Sequence, residues 1–286
     1  MKSEIQSELD SDYTGNLVDL LKAQEYTLTA GDVTIRLAKE FGFCYGVERA
    51  VEYAYQARKK FPDRTIYLAG EIIHNPHVNA KLRSMGIKFL MPGGERREAG
   101  GERGEAGGER REVRGGESPG IDTGAGHAAP SRLSPLASRS IDYSAVKPED
   151  VVILPAFGVT IKDFETLRAL GCVMVDTTCG SVLNVWKRVE SYARDGFTSL
   201  IHGKYYHEET RATASQAEKY PNGQYFIVRN LDEAQLVCDF IEGRLSAQAL
   251  MERFAHAASP NFDPARDLRR IGVANQTTML ARESLA

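Results

Sequence analysis

Five short β-branched runs in this chain are each followed by a small polar turn and a helical period, and a sixth leads into the last residues. Thr34 to Leu37 precedes FGFC and a helix from Val47. IYLAG at 66–70 precedes EIIHN and a helix through Met85, and VVILP at 151–155 precedes AFG and a helix to Leu170. Val173 to Val175 leads to DTTC and a helix from Val182, TSLIHG at 198–203 to KYYHEE and a helix around Ala212, and IGVAN at 271–275 to QTT. Short apolar runs that alternate with helices suit parallel strands, which need helical crossovers and are buried on both faces. The fold class this predicts is α/β, with repeated modules that each hold a small parallel sheet flanked by helices.

Two of these turns echo each other. Counting from Cys44, apolar residues fall at Val47, Ala50, Val51, Ala54 and Tyr55; counting from Cys179, they fall at Val182, Val185, Trp186, Val189 and Ala193. Each cysteine thus stands one turn before an amphipathic helix, at a strand-to-helix elbow where free backbone N–H groups favour a thiolate. A repeated elbow suggests duplicated modules that converge on one site.

Composition narrows the function classes. A net charge of -3 over 286 residues gives no global attraction to nucleic acid or to an anionic membrane, and no apolar run approaches the ~20 residues that span a bilayer. Four cysteines at 44, 172, 179 and 238 do not resemble a disulfide framework and read as reduced thiols or metal ligands. The first twenty residues hold five acids and lack the apolar core of a signal peptide, so a cytoplasmic protein is expected. Residues 1–33 read as a polar N-terminal extension. Residues 93–140 hold 12 of the 26 glycines, eight Arg, eight acids and GGER at 93, 100 and 107, the composition of a disordered insertion. The expected division is 34–158 for a first α/β module containing that insertion, 159–270 for a second, and 271–286 for a return strand and the start of a remainder.

Ligands in parallel sheets collect at the carboxyl ends of strands, where helix N-termini present free N–H groups. Cys44, His74, Asn75, Cys179, His202, His207, Glu209, Gln276, Thr277 and Thr278 all fall at such ends. Thiols, imidazoles, a carboxylate and hydroxyls together describe a metal site beside an anion pocket. Each also has a plainer reading: the histidines as helix caps, Glu208 and Glu209 as first-turn acids, Cys172 and Cys238 as inert side chains. No Cys-x-x-Cys or His-x-x-x-His clip for zinc is present. Single thiolates from separate modules suit an iron-sulfur cluster better, although composition does not choose.

GFCYGVERAV at 42–51, EIIHNPHVN at 71–79, ILPAFG at 153–158, VDTTC at 175–179, SLIHGKYYHEETRATAS at 199–215 and VANQTTML at 273–280 resemble, in order, the LytB or IspH family of 4-hydroxy-3-methylbut-2-enyl diphosphate reductases. HGKYYHEET and PAFG look like its plant and cyanobacterial branch. The resemblance implies three pseudo-threefold modules around a [4Fe-4S] cluster. It also implies a two-electron reductive dehydroxylation of an allylic diphosphate to isopentenyl and dimethylallyl diphosphates, the last step of the non-mevalonate isoprenoid pathway, with ferredoxin or flavodoxin as electron donor. Carried over residue by residue, Cys44 and Cys179 match cluster ligands, and Glu209 and Thr277 match the catalytic proton relay. His74 and His207 match diphosphate-binding imidazoles, with Gln276 and Thr278 shaping the substrate loop.

The departures are Phe157, where other branches carry a diphosphate-binding histidine, and Gly180, where a proline is usual. The family's third cysteine and its Ser-x-Asn diphosphate clamp fall past Ala286, and neither Cys172 nor Cys238 matches. The resulting expectation is a truncated reductase, impaired in activity. The alternatives are a non-catalytic α/β remnant that binds a diphosphate or a partner without redox chemistry, and a cysteine-based thiol enzyme.

Overall fold

The structure, a computed structural model, describes residues 2–13, 15–39, 42–91, 140–279 and 284. Of the expected insertion at 93–140, all but Ser140 lies outside the described residues. The chain opens with helices α1 (Lys2–Tyr13) and α2 (Asn16–Ala23) and strands β1 (Thr27–Ala30) and β2 (Val33–Arg36). Then come α3 (Tyr45–Lys60), β3 (Ile66–Ala69), α4 (Pro76–Ser84), β4 (Ile87–Leu90), β5 (Val151–Leu154), α5 (Ile161–Leu170) and β6 (Val173–Asp176). The remainder is α6 (Gly180–Arg194), β7 (Thr198–His202), α7 (Glu208–Ser215), β8 (Gln224–Val228), α8 (Leu231–Ile241), α9 (Ala247–Phe254), α10 (Pro264–Asp267) and β9 (Ile271–Asn275).

Two parallel sheets carry the fold, in the orders β4-β3-β5-β6 and β8-β7-β9, as the strand-helix repetition predicts. β3 and β5 are buried along their whole length because helices cover both faces. Ile66, Leu68, Val151 and Ile153 pack on one side with Ala50, Val51, Ala54 and Tyr55 of α3 and Val78 and Leu82 of α4. Tyr67, Ala69, Val152 and Leu154 pack on the other with Leu167 of α5. The second sheet is covered by Val189 and Ala193 of α6, Val237 of α8 and Leu250 and Phe254 of α9.

Three expectations need correction. Residues 1–33 are more than a polar extension, because Ile5 and Leu9 of α1 are buried in the core with α3. Tyr55 donates to Asp12 at 2.8 Å and Lys81 donates to the same carboxylate at 2.7 Å, which fastens α1 to both α3 and α4. The run before Cys44 is not a strand of a parallel sheet. β2 pairs antiparallel with β1, Ala30 opposite Val33, because a two-residue connection closes a hairpin and cannot make a crossover. Finally, the division at 158/159 does not coincide with the boundary between sheets: α5 and β6 belong to the first sheet, where β6 pairs in register with β5 from Val151↔Val173 to Leu154↔Asp176. A crossover through α5 delivers the next strand beside the one just left. The strand at 271–275 pairs with β7 and so belongs to the second sheet.

Candidate active site

The two cysteine elbows meet. Cys44 and Cys179 are the N-caps of α3 and α6, both in extended backbone, and neither side chain is engaged in capping. Gly46, two residues after Cys44, lies so close to the second elbow that a Cβ there would stand 2.3 Å from Cys179 Sγ. The Cys179 N–H donates to Ala156 O at 3.0 Å, and Ala156 N–H donates to Ile72 O at 3.2 Å. The loop after β5 is thereby tied to the turns that carry Cys179 and His74. Gly158, at φ 75, completes this loop: a Cβ there would fall 2.4 Å from the Trp186 ring on α6.

A second cluster centres on His74. Its ring stacks on Phe157, with centroids 4.7 Å apart and planes at 27°, and meets His207 edge-on at 5.0 Å. His74 Nδ1 is 3.0 Å from Glu71 Oε2, and His74 Nε2 is 3.2 Å from His207 Nε2 and 3.5 Å from Glu208 Oε2. The Glu208 carboxylate, reinforced by Glu71, raises His74 to about 9 against the opposing effect of burial. In return Glu208 falls to about 2, chiefly through its bond to His74. Burial moves His207 the other way, against the pull of the Glu208 carboxylate and with His74 and Lys204 adding repulsion, which favours the neutral imidazole.

His207 caps α7. Its Nδ1 accepts the Glu209 N–H at 3.1 Å, so the neutral ring carries its hydrogen on Nε2. One nitrogen of each of His74 and His207 and an oxygen of Glu208 lie within 4.8 Å of one another, close enough to share a cation. The cap argues against that use, because a metal would need the Nε2 lone pair that the hydrogen occupies. Two N–H groups facing one position are instead suited to an anion's oxygens.

Glu209 is the buried acid of the site, 1% exposed. Its Oε1 accepts the Thr277 N–H at 2.5 Å, and its Oε2 is buried with no partner among the described residues. Burial raises its pKa even though the Thr277 N–H favours the ionised form, so this carboxyl keeps a proton to higher pH than an exposed glutamate. Gln276 sets the loop that presents Thr277: its Oε1 accepts from Thr210 Oγ1 at 2.9 Å and Lys204 N–H at 3.1 Å, and its Nε2 donates to Thr278 Oγ1 at 2.6 Å.

The expected residues are therefore linked. Cys44 joins Cys179 through Gly46, Cys179 joins His74 through the loop after β5, and His207 and Glu209 adjoin in α7, from which Glu209 reaches Thr277 and its loop. His202 lies apart from the imidazole pair, with Nδ1 2.9 Å from Ser284 Oγ. Cys172 is buried under the first sheet, whereas Cys238 is exposed on α8. Glu208 and Glu71 contact His74 and were not expected. A signal for Glu208 existed in the doubled acid after His207, which also reads as an ordinary first helical turn.

The family model described as "LytB protein" matches residues 35–285. The chain belongs to the LytB family. Among its LytB relatives, the protein named 4-hydroxy-3-methylbut-2-enyl diphosphate reductase in Thermosynechococcus vestitus is 43% identical over 281 residues, covering 98% of this chain and 58% of its own length. The protein of the same name in Gloeobacter violaceus is 43% identical over 284 residues, covering 99% and 57%. The chain thus spans less than two thirds of the length of these relatives. A solved E-1-hydroxy-2-methyl-but-2-enyl-4-diphosphate reductase from Plasmodium falciparum shares the fold, with a TM-score of 0.52 at 20% identity, over 86% of this chain and 52% of that one. Among the described residues no helix is long and apolar enough to cross a membrane.

Proposed function

We propose that this chain carries the reductase chemistry for which its relatives are named, acting on (E)-4-hydroxy-3-methylbut-2-enyl diphosphate. The observation that carries this reading is the convergence of three kinds of group: paired thiols on helix N-termini, an imidazole pair that offers N–H donors to one point, and a buried protonatable carboxyl. The overall change breaks the allylic C–O bond with two electrons and two protons, one proton leaving in water and one ending on an allylic carbon.

The diphosphate is held by His74 and His207. Charged His74 provides the stronger donor, while neutral His207 offers Nε2–H because its other nitrogen caps α7. Glu209 holds a proton on its free carboxyl oxygen, Oε2, since Oε1 is already bonded to Thr277 N–H, and delivers it to the departing hydroxyl. Thr277 is exposed and fixed by that backbone bond, and its hydroxyl, already engaged with the Glu209 carboxyl, is placed to bridge Glu209 and the substrate. Phe157 and the loop after β5 close the apolar side of the imidazole pair.

Cys44 and Cys179 would hold the [4Fe-4S] cluster that the family uses. They supply two of the three thiolates that the resemblance implies for it: two uncapped thiols stand on abutting elbows, with a glycine where any side chain would displace one sulfur. Bound there, such a cluster would relay the two electrons one at a time from an external donor and offer a Lewis acid to the hydroxyl. A ferredoxin or flavodoxin is the proposed donor to it, and the cytoplasm the proposed compartment. Anaerobic reconstitution of the chain and of its Cys44→Ser and Cys179→Ser variants, with iron counted and substrate binding measured by calorimetry, tests the reading. Bound iron in the parent, lost in both variants, with substrate binding abolished by His74→Ala, is expected. Equal iron in all three proteins would overturn it.

A further inference from the structure

Glu208 lies outside the expected site residues, yet it is the acid on α7 that faces His74 across the imidazole pair. We propose that Glu208 is a positioning residue that keeps His74 a charged, oriented donor and occupies the anion position until a diphosphate replaces it. This rests on the diphosphate reading given above.

His74 is fixed on three sides: Phe157 stacks on its face at 4.7 Å, Glu71 sits 3.0 Å from Nδ1, and Glu208 sits 3.5 Å from Nε2. Glu71 alone would orient the ring. It would leave Nε2 facing His207 Nε2 at 3.2 Å, where the α7 cap already places a hydrogen. Two N–H groups directed at each other with no acceptor between them would make the neutral form of His74 the better partner, since neutral Nε2 could accept from His207. A carboxylate 3.5 Å from His74 Nε2, with the ligand atoms of all three residues within 4.8 Å of one another, reverses that preference, because its negative charge favours the protonated ring. Glu208 is that carboxylate, and its side chain is 45% exposed, so it can swing into solvent when a more highly charged anion arrives.

The charged groups around the ring are consistent with one role for Glu208. Glu71 comes from the loop after β3, Glu208 and His207 from the start of α7, and Lys204 from the turn after β7, where it repels a proton on His207. Glu209, next in sequence, is turned away and bonded to Thr277. Of the acids touching His74, only Glu208 shares the nitrogen that must also meet the ligand. Its withdrawal on binding leaves a charged Nε2–H pointing at the incoming oxygen, and Glu71 keeps the ring aligned throughout.

The test uses nuclear magnetic resonance titration of labelled histidine in the full chain, Glu208→Gln and Glu208→Asp, with His74 assigned from a His74→Gln sample. Calorimetry with inorganic diphosphate at pH 6.5 and 8.5 accompanies it, and variants are compared with the parent at each pH so that ionisation of the ligand cancels. His74 is expected to titrate near 9 in the parent, to drop by about one unit or more in Glu208→Gln, and to recover most of that in Glu208→Asp. Relative to the parent, Glu208→Gln should bind diphosphate about threefold more weakly at pH 8.5 than at pH 6.5 if His74 loses one unit, and roughly tenfold more for a further unit. An unchanged His74 midpoint in Glu208→Gln overturns the proposal. If the parent fails to bind diphosphate at either pH, the diphosphate reading fails, while the His74 midpoints still decide the role of Glu208 as its charge partner.

Discussion

Glu209 Oε1 accepts the backbone N–H of Thr277 at 2.5 Å, a bond that joins the first turn of α7 to the loop after β9 and leaves Oε2 of the same carboxyl buried and open. One carboxyl thus has a structural oxygen and a chemical one. The two jobs separate on substitution: Glu209→Gln keeps an oxygen acceptor for Thr277, whereas Glu209→Ala removes that acceptor and the packing of a buried side chain. Chemical denaturation should therefore place Glu209→Gln within about 1 kcal/mol of the parent and Glu209→Ala about 1–3 kcal/mol below it. Equal losses in the two variants would count against the shared bond.

Gly46→Ala tests the contact between the elbows. The added methyl would meet Cys179 Sγ at 2.3 Å and can be accommodated only by moving the α6 N-terminus or the sulfur. Overpacking of this kind costs about 1–3 kcal/mol. The expected result is a modest fall in thermal midpoint together with loss of most reconstituted iron, read by colorimetric iron count. Full iron retention would show that the elbows are not held in register through Gly46.

The N-terminal helix should prove part of the core. Ile5 is fully buried against α3, so Ile5→Ala removes packing worth about 2–5 kcal/mol, while a change at exposed Leu17 on α2 should cost under about 0.5 kcal/mol. Urea unfolding of the two variants checks the contrast, and similar values would mean that α1 is not packed as described.

The His74–Glu208 pair gives stability a defined pH window. His74 is raised from 6.5 to about 9, so its contribution is complete below about 6.5 and is lost as pH rises through about 9. Glu208 is lowered from 4.5 to about 2, so its contribution is present above about 4.5 and is lost as pH falls toward 2. Both side chains are nearly half exposed, and solvent screening holds the effect to about 0.2–1 kcal/mol. The urea midpoint of the parent should fall between pH 6.5 and 9.5, and that of Glu208→Gln should fall less. A parent midpoint that rises over this interval would contradict the pairing.

Much of this was legible in the residues. The first parallel sheet could be read because β3 and β5 are continuous apolar runs, the pattern that burial on both faces demands, whereas β7 (Thr198–His202) is legible only as a short run before a polar turn and a helical period. The motifs at the strand ends also located the histidines, the cysteines and Glu209. The α1 contribution was hidden by acidic composition, although Ile5, Leu9 and Tyr13 recur every four residues on one face. The β1–β2 hairpin was missed because only its second strand was counted. The place of β6 depends on which edge its crossover reaches, a matter of tertiary packing that no local pattern encodes. The role of Glu208 depends on a contact with a residue 134 positions earlier, and spacing along the chain does not reveal such a contact.

The most direct measurement is anaerobic product analysis. The iron-loaded chain and its Glu209→Gln variant are given (E)-4-hydroxy-3-methylbut-2-enyl diphosphate and a low-potential reductant, and the five-carbon products are separated and counted against electrons consumed. The account predicts isopentenyl and dimethylallyl diphosphates from the parent at two electrons per molecule, and a rate at least about a hundredfold lower from Glu209→Gln at equal iron content. Absence of these products from a parent chain that holds iron on Cys44 and Cys179, or equal rates from the two proteins, would contradict it.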